Sequence, residues 1–178
     1  MSEYAAFLRG INLGKARRVS SGDLRACFEK AGMRDVSTFR TSGNVAFDAS
    51  GEPAGKLRER IEKELEAALG YEVTVFIRTA KEIGAIAAHE PFPGASGGKL
   101  QVAMLPGKPK ASARKQVLEL ATDDDRLEFS GRELYWLPKG GMMETDLDLK
   151  LIEKLVGPTT RRTKNTVESL AAKYFGGG

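Results

Sequence analysis

The order of apolar periodicities predicts an α+β fold of two ferredoxin-like β-α-β-β-α-β halves in tandem, the second lacking its last strand and ending in an extra helix. Three observations carry this. Residues 3–78 read as strand, helix, strand, strand, helix, strand, which is the split β-α-β order. A Pro/Gly/Ser stretch at 91–98 then breaks the chain near its middle. Beyond it the same order of periods returns in weaker form. The expected domains are therefore 1–90, a half with an additional helix at its end, and 91–178, an incomplete half with a C-terminal helix.

The first strand, 3–9, is mostly apolar and so central in its sheet. A loop over 10–18 leads to a helix with Ser20 or Ser21 near its cap and Leu24, Cys27, Phe28 and Ala31 on one face; Gly32 stops it. Val36, Thr38 and Phe39 form a strand, Ser42-Gly43-Asn44 turns it, and Val45 and Phe47 return. Leu57, Ile61, Leu65 and Leu69 recur at helical spacing up to Gly70, and Val73, Val75 and Ile77 alternate as a strand. Ile83, Ile86 and Ala87 mark the additional helix.

In the second half, 99–105 is a strand and 110–121 a helix through Ala113, Val117 and Leu120. Strands at 127–129 and 134–137 are joined by Ser130-Gly131. A helix over 147–156 carries Thr145 and Asp148 at capping-box spacing. Where a fourth strand belongs, the pattern goes straight to a last helix with Val167, Leu170, Ala171 and Tyr174 on one face.

At 178 residues, 41% apolar and 29% charged, the chain buries roughly 70% of its unfolded surface and needs no staples. One Cys and one His exclude an internal disulfide and a thiolate or imidazole metal cluster, and no cofactor fingerprint is present. No apolar run reaches the roughly 18 residues of a membrane span, and the first residues carry no secretory signal. The expectation is a cytoplasmic protein with no metal, no cofactor and no membrane partner; its oligomeric state is open.

The net charge of +4 matters less than its distribution. Arg9, Lys15, Arg17 and Arg18 fall within ten residues without an acid, and Arg161, Arg162 and Lys164 within seven. The loop Arg9-Gly10-Ile11-Asn12-Leu13-Gly14-Lys15-Ala16-Arg17-Arg18 joins a strand to a helix. Glycines without Cβ beside cations are what an anion-cradling loop requires; a solvated loop whose glycines serve geometry is the plainer reading. It is no Walker loop, being one residue short with Ala16 at the hydroxyl position. In the second stretch Asn165 and Glu168 read as a capping pair. Cations beside a helix N-terminus are disfavoured by its dipole unless an anion joins them or the long side chains reach into water.

Other motifs have plain readings. Gly94-Ala95-Ser96-Gly97-Gly98 matches the letters of a nucleophile elbow, but it precedes a strand and follows His89, so it reads as linker. Cys27 reads as core, His89 as a helix-end residue without a partner, and Asp123-Asp124-Asp125 as a solvated acidic turn. Tyr135 and Trp136 point to opposite faces of a strand, so one is expected in the core.

Leu8-Arg9-Gly10-Ile11-Asn12-Leu13-Gly14, Ser42-Gly43-Asn44-Val45-Ala46-Phe47, Pro91-Phe92, and Arg162 with Asn165-Thr166-Val167 resemble the bacterial family known as domain of unknown function 1697. The likeness runs over roughly 4–174. Thr163 and Lys164 stand where the family has Asn and Trp, which removes an aromatic platform there. The resemblance implies a two-part α+β fold and no activity, substrate or catalytic residue.

With strands 1 and 3 taken as a central parallel pair, the 9–18 loop and the Ser42-Gly43-Asn44 turn fall at opposite ends of the first sheet. The loop's partner is then expected from the second half, in the basic 159–164 segment. The functional expectation is a non-enzymatic binding module for a phosphate-rich ligand, nucleic acid or nucleotide. Its candidate residues are Arg9, Gly10, Asn12, Gly14, Lys15, Arg17, Arg18, Arg161, Arg162, Lys164 and Asn165. Two alternatives stand beside it: an enzyme acting on a small phosphorylated or carboxylated metabolite between the halves, and a structural or regulatory protein that oligomerises by sheet edges.

Overall fold

The apolar run near the start of the chain becomes β1 (Tyr4–Arg9), buried through its four middle residues. The computed structural model describes residues 2–11, 18–40, 43–95, 99–140 and 145–176. The chain divides into two units, Met1–Ala87 with Ser169–Gly178, and Ala88–Glu168. The last ten residues therefore group with the first unit, where the sequence pattern placed them with the second.

In the first unit β1 is followed by α1 (Ser21–Lys30), β2 (Arg34–Phe39), β3 (Asn44–Asp48), α2 (Ala54–Leu69) and β4 (Thr74–Thr79), then α3 (Ala80–Ala88). Ser20 starts α1, its hydroxyl accepting from the Asp23 N–H at 3.1 Å. Gly70 ends α2 in the left-handed conformation, φ 82°. The sheet order is β2-β3-β1-β4. Ala6, Leu8, Val45, Phe47, Val75 and Ile77 pack against Leu24 and Phe28 of α1 and Leu57, Ile61 and Leu65 of α2. The opposite face is buried too, at Ala5, Phe7, Ala46 and Phe76; this explains why the strands lack polar alternation.

β1 pairs antiparallel with both β3 and β4, which corrects the expected parallel β1/β3 pair. In the split β-α-β order, every neighbouring pair in the sheet is antiparallel. The C-terminal end of β1 and the N-terminal end of β3 therefore lie together.

The second unit holds β5 (Gln101–Met104), α4 (Ala111–Leu118), β6 (Asp125–Ser130), β7 (Glu133–Pro138), α5 (Leu149–Val156), β8 (Thr160–Thr163) and the first residues of α6 (Lys164–Tyr174). Its sheet order, β6-β7-β5-β8, repeats that of the first. The fourth strand, expected to be missing, is β8, paired antiparallel with β5 from Gln101↔Thr163 to Met104↔Thr160. Its sequence Thr-Arg-Arg-Thr has no apolar period to reveal it.

Three local expectations are also corrected. Tyr135 and Trp136 are both buried, at 1% and 3% exposure, because both faces of this sheet are covered. Asp125 is a buried anchor, not part of a solvated turn. Its Oδ1 accepts from Trp136 Nε1–H at 2.8 Å, and its Oδ2 from the hydroxyls of Thr122 and Thr145 at 2.8 and 2.9 Å. With Thr145 so engaged, Asp148 alone caps α5, accepting from the Leu151 N–H at 3.0 Å.

Candidate anion-binding site

Arg9 ends β1, and Gly10 follows with φ 87°. This conformation suits glycine and turns the chain out of the sheet. The antiparallel pairing sets that exit beside the β2–β3 turn, where the Leu8 N–H donates to the Gly43 carbonyl at 2.9 Å. Gly43, φ 73°, fits because a Cβ there would stand 2.7 Å from Ile11 Cδ1 and 3.1 Å from Leu8 Cβ. Gly10, Ile11 and Gly43 thus lie at one end of the sheet, contrary to the expectation that put the loop and the turn at opposite ends. The N-terminus of α1 opens the same way, with exposed Arg18 just before its cap. Asn12, Gly14, Lys15 and Arg17 lie outside the described residues, as does Ser42.

Asn44 is not a turn residue with positive φ. It starts β3, is 1% exposed, and its side-chain amide donates to the Phe39 carbonyl at 3.1 Å. Among the described residues of this turn positive φ falls on Gly43, as expected, and on Arg40, φ 57°, a conformation that costs a side-chain-bearing residue on the order of 1–2 kcal/mol. An arginine is held where glycine would rest more easily. Its guanidinium donates to Ser169 Oγ at 3.3 Å and lies 5.1 Å from the Phe39 ring centre. Arg9, Arg18 and Arg40 thus belong to the loop end of the first sheet, Arg9 and the Phe39 ring that Arg40 approaches on the face turned from α1, and Arg18 just before the α1 cap.

Arg161, Arg162, Lys164 and Asn165 belong to the second unit. Strand alternation sends the two arginines of β8 to opposite faces. Arg161 is exposed with its guanidinium 5.3 Å from the Trp136 ring centre. Arg162 donates to Thr160 Oγ1 and to the Arg161 carbonyl, and burial pushes its guanidinium down to about 10. Lys164 is 7% exposed and faces Glu168 at 4.0 Å. Thr163 caps α6, its hydroxyl accepting from the Thr166 N–H at 3.2 Å, in place of the expected Asn165, which is exposed within the first turn. β8 runs directly into the helix, so the cap is the strand's last residue.

His89, expected to lack a partner, has one: its Nε2 lies 2.8 Å from Glu128 Oε2, and its ring centre 4.8 Å from that of Tyr135. Phe92 of the Pro-Phe pair lies beneath the Arg126 guanidinium at 4.9 Å. Cys27 is buried, and burial pushes its thiol up, as suits a core residue. Among the described residues, no group of His, Cys, Asp and Glu is arranged to hold a metal ion, and no helix is long and apolar enough to cross a membrane.

Three comparisons bear on this arrangement. A family described as protein of unknown function (DUF1697) matches residues 1–135. A solved structure, that of the conserved bacterial protein SP0830 from Streptococcus pneumoniae, superposes with a TM-score of 0.77 at 20% identity, over 96% of this chain and 97% of that one. At that identity the likeness concerns the fold. No curated protein matches.

Proposed function

Since the chain belongs to the DUF1697 family of proteins of unknown function, its role must be read from its own side chains, and we propose that it binds a phosphate-rich ligand, a nucleic acid or a nucleotide, at the loop end of its first sheet. The observation that carries this reading is the antiparallel β1/β3 pairing, which brings the end of β1 at Arg9 and Gly10 to the same end of the sheet as Arg40 and Gly43. Arg9, Arg18 and Arg40 supply the charge. Arg40 supports the reading further, since its side chain is kept at a backbone cost. The basic β8 segment lies in the second unit and takes no part in this reading.

The test is fluorescence anisotropy with a labelled oligouridylate of about twelve residues, from about 50 to about 200 mM salt. Affinity should fall steeply with salt, and replacing Arg9 and Arg18 by Ala and Arg40 by Gly should flatten the log–log slope by about 0.7 for each phosphate that is no longer neutralised. Arg40→Gly alone should leave Tm within about 2 °C, because relief of the left-handed strain offsets the glycine's added freedom in the unfolded chain. Absence of binding at low salt, or an unchanged slope in the triple variant, defeats the proposal.

A further inference from the structure

Phe39 ends β2 and faces the side of the sheet turned from α1 and α2, in register with Asn44 and, beyond it, Phe7. Its neighbours on that side are buried, whereas Phe39 itself is half-buried. The Tyr174 ring stands edge-on to it, centroids 6.0 Å apart at 88°, and the Tyr174 hydroxyl donates to the Thr38 carbonyl at 3.5 Å. Lys173 Nζ lies 5.8 Å from the Phe39 ring centre and 5.4 Å from that of Tyr174, and Arg40 approaches the Phe39 ring at 5.1 Å. An aromatic pair thus sits between two cations immediately beside the surface described above.

We infer that Phe39 and Tyr174 form a stacking platform, so that the phosphate-rich ligand is single-stranded nucleic acid; this rests on the phosphate reading. Every base has an apolar π-face, and a ring flanked by cations offers that face a partner while the cations meet the adjoining phosphates. The contacts of Arg40 and Lys173 with Phe39 hold those cations near the ring, each a weak interaction at an exposed site. Arg9 is on the same face, two strand spacings across and two residues further along its strand than the register partner Phe7, about 12 Å away. A base stacked at Phe39 would set its adjoining phosphates against Arg40 and Lys173. A duplex keeps its bases stacked inside and offers this platform nothing.

The experiment compares the full-length protein and its Phe39→Leu variant, which keeps the packing volume on Tyr174 and removes the π-face. The probes are oligouridylate, a duplex RNA of equal length, uridine monophosphate and inorganic polyphosphate. Phe39→Leu should weaken oligouridylate binding about ten-fold and leave polyphosphate binding within about two-fold. Polyphosphate binding together with an oligouridylate affinity indifferent to Phe39→Leu overturns the platform and leaves the phosphate reading standing. So does a duplex bound as tightly as the single strand, or a mononucleotide that competes as well as the oligomer. Binding of neither polymer sinks both. Equal losses for both polymers, with a lowered Tm, assign Phe39 a structural role and overturn the inference.

Discussion

Single side chains decide where backbone geometry and chemistry part company in this protein. The turn Ser42-Gly43-Asn44 suggests that Asn44 takes a positive φ, because asparagine tolerates it; the backbone instead assigns that conformation to Arg40, a residue no turn rule selects. Asn44 could not serve both purposes, since its amide is committed to the Phe39 carbonyl inside the sheet. Tyr135 shows the same kind of commitment in a titratable group. Burial, with Glu133 and Glu128 nearby, pushes its phenol above the ordinary value of 10.0. The folded protein thus holds that proton more tightly than the unfolded chain does. The resulting stabilisation is complete below pH 10 and is lost as the pH climbs above it. Urea denaturation at successive pH values should show Tyr135→Phe losing stability less steeply than the parent above about pH 10, with the two parallel at neutrality.

At the scale of elements, the apolar periods name most helices and strands, because α1, α2, β1 and β4 each bury a regular face. They fail at β8, where Thr-Arg-Arg-Thr has no apolar period although backbone pairing with β5 places it in the sheet. Strand direction is a different case: the split β-α-β order itself makes β1 and β3 antiparallel, so it was taking them as parallel that separated the loop at Arg9 from the turn at Gly43. Lys173 and Tyr174 were hidden for a different reason. Tyr174 reaches Thr38 across 136 positions of sequence, and no local pattern signals a contact that long. The sheet edges show a further design. On β4 the Val75 N–H donates to Glu62 Oε2 at 2.8 Å, on β2 the Thr38 carbonyl takes the Tyr174 hydroxyl, and on β6 Asp125 exchanges two backbone bonds with Thr122. Each caps an edge that could otherwise pair with another chain. The junction of β8 and α6 carries the prediction at this scale: Thr163→Ala should cost about 1 kcal/mol in chemical denaturation by removing the cap, whereas Asn165→Ala should fall within ~0.5 kcal/mol of the parent.

For the molecule as a whole, the telling fact is that the first unit is discontinuous: residues 169–178 group with 1–87. Their bonds are specific, with Ser2 N–H donating to the Tyr174 carbonyl at 2.9 Å and Arg40 to Ser169 Oγ. Removing residues 169–178 should therefore strip amide-exchange protection from β2 first while leaving β7 protected, as read by hydrogen exchange and mass spectrometry. Equal loss in both strands would show that the tail's contribution is not local to the first unit. The same discontinuity has a bearing on biosynthesis. A ribosome delivers the first four strands early, but the segment that closes over β2 emerges only after residue 174 has cleared the exit tunnel. Until then the nascent protein exposes an uncovered strand, and in that interval a chaperone would find its clearest opportunity.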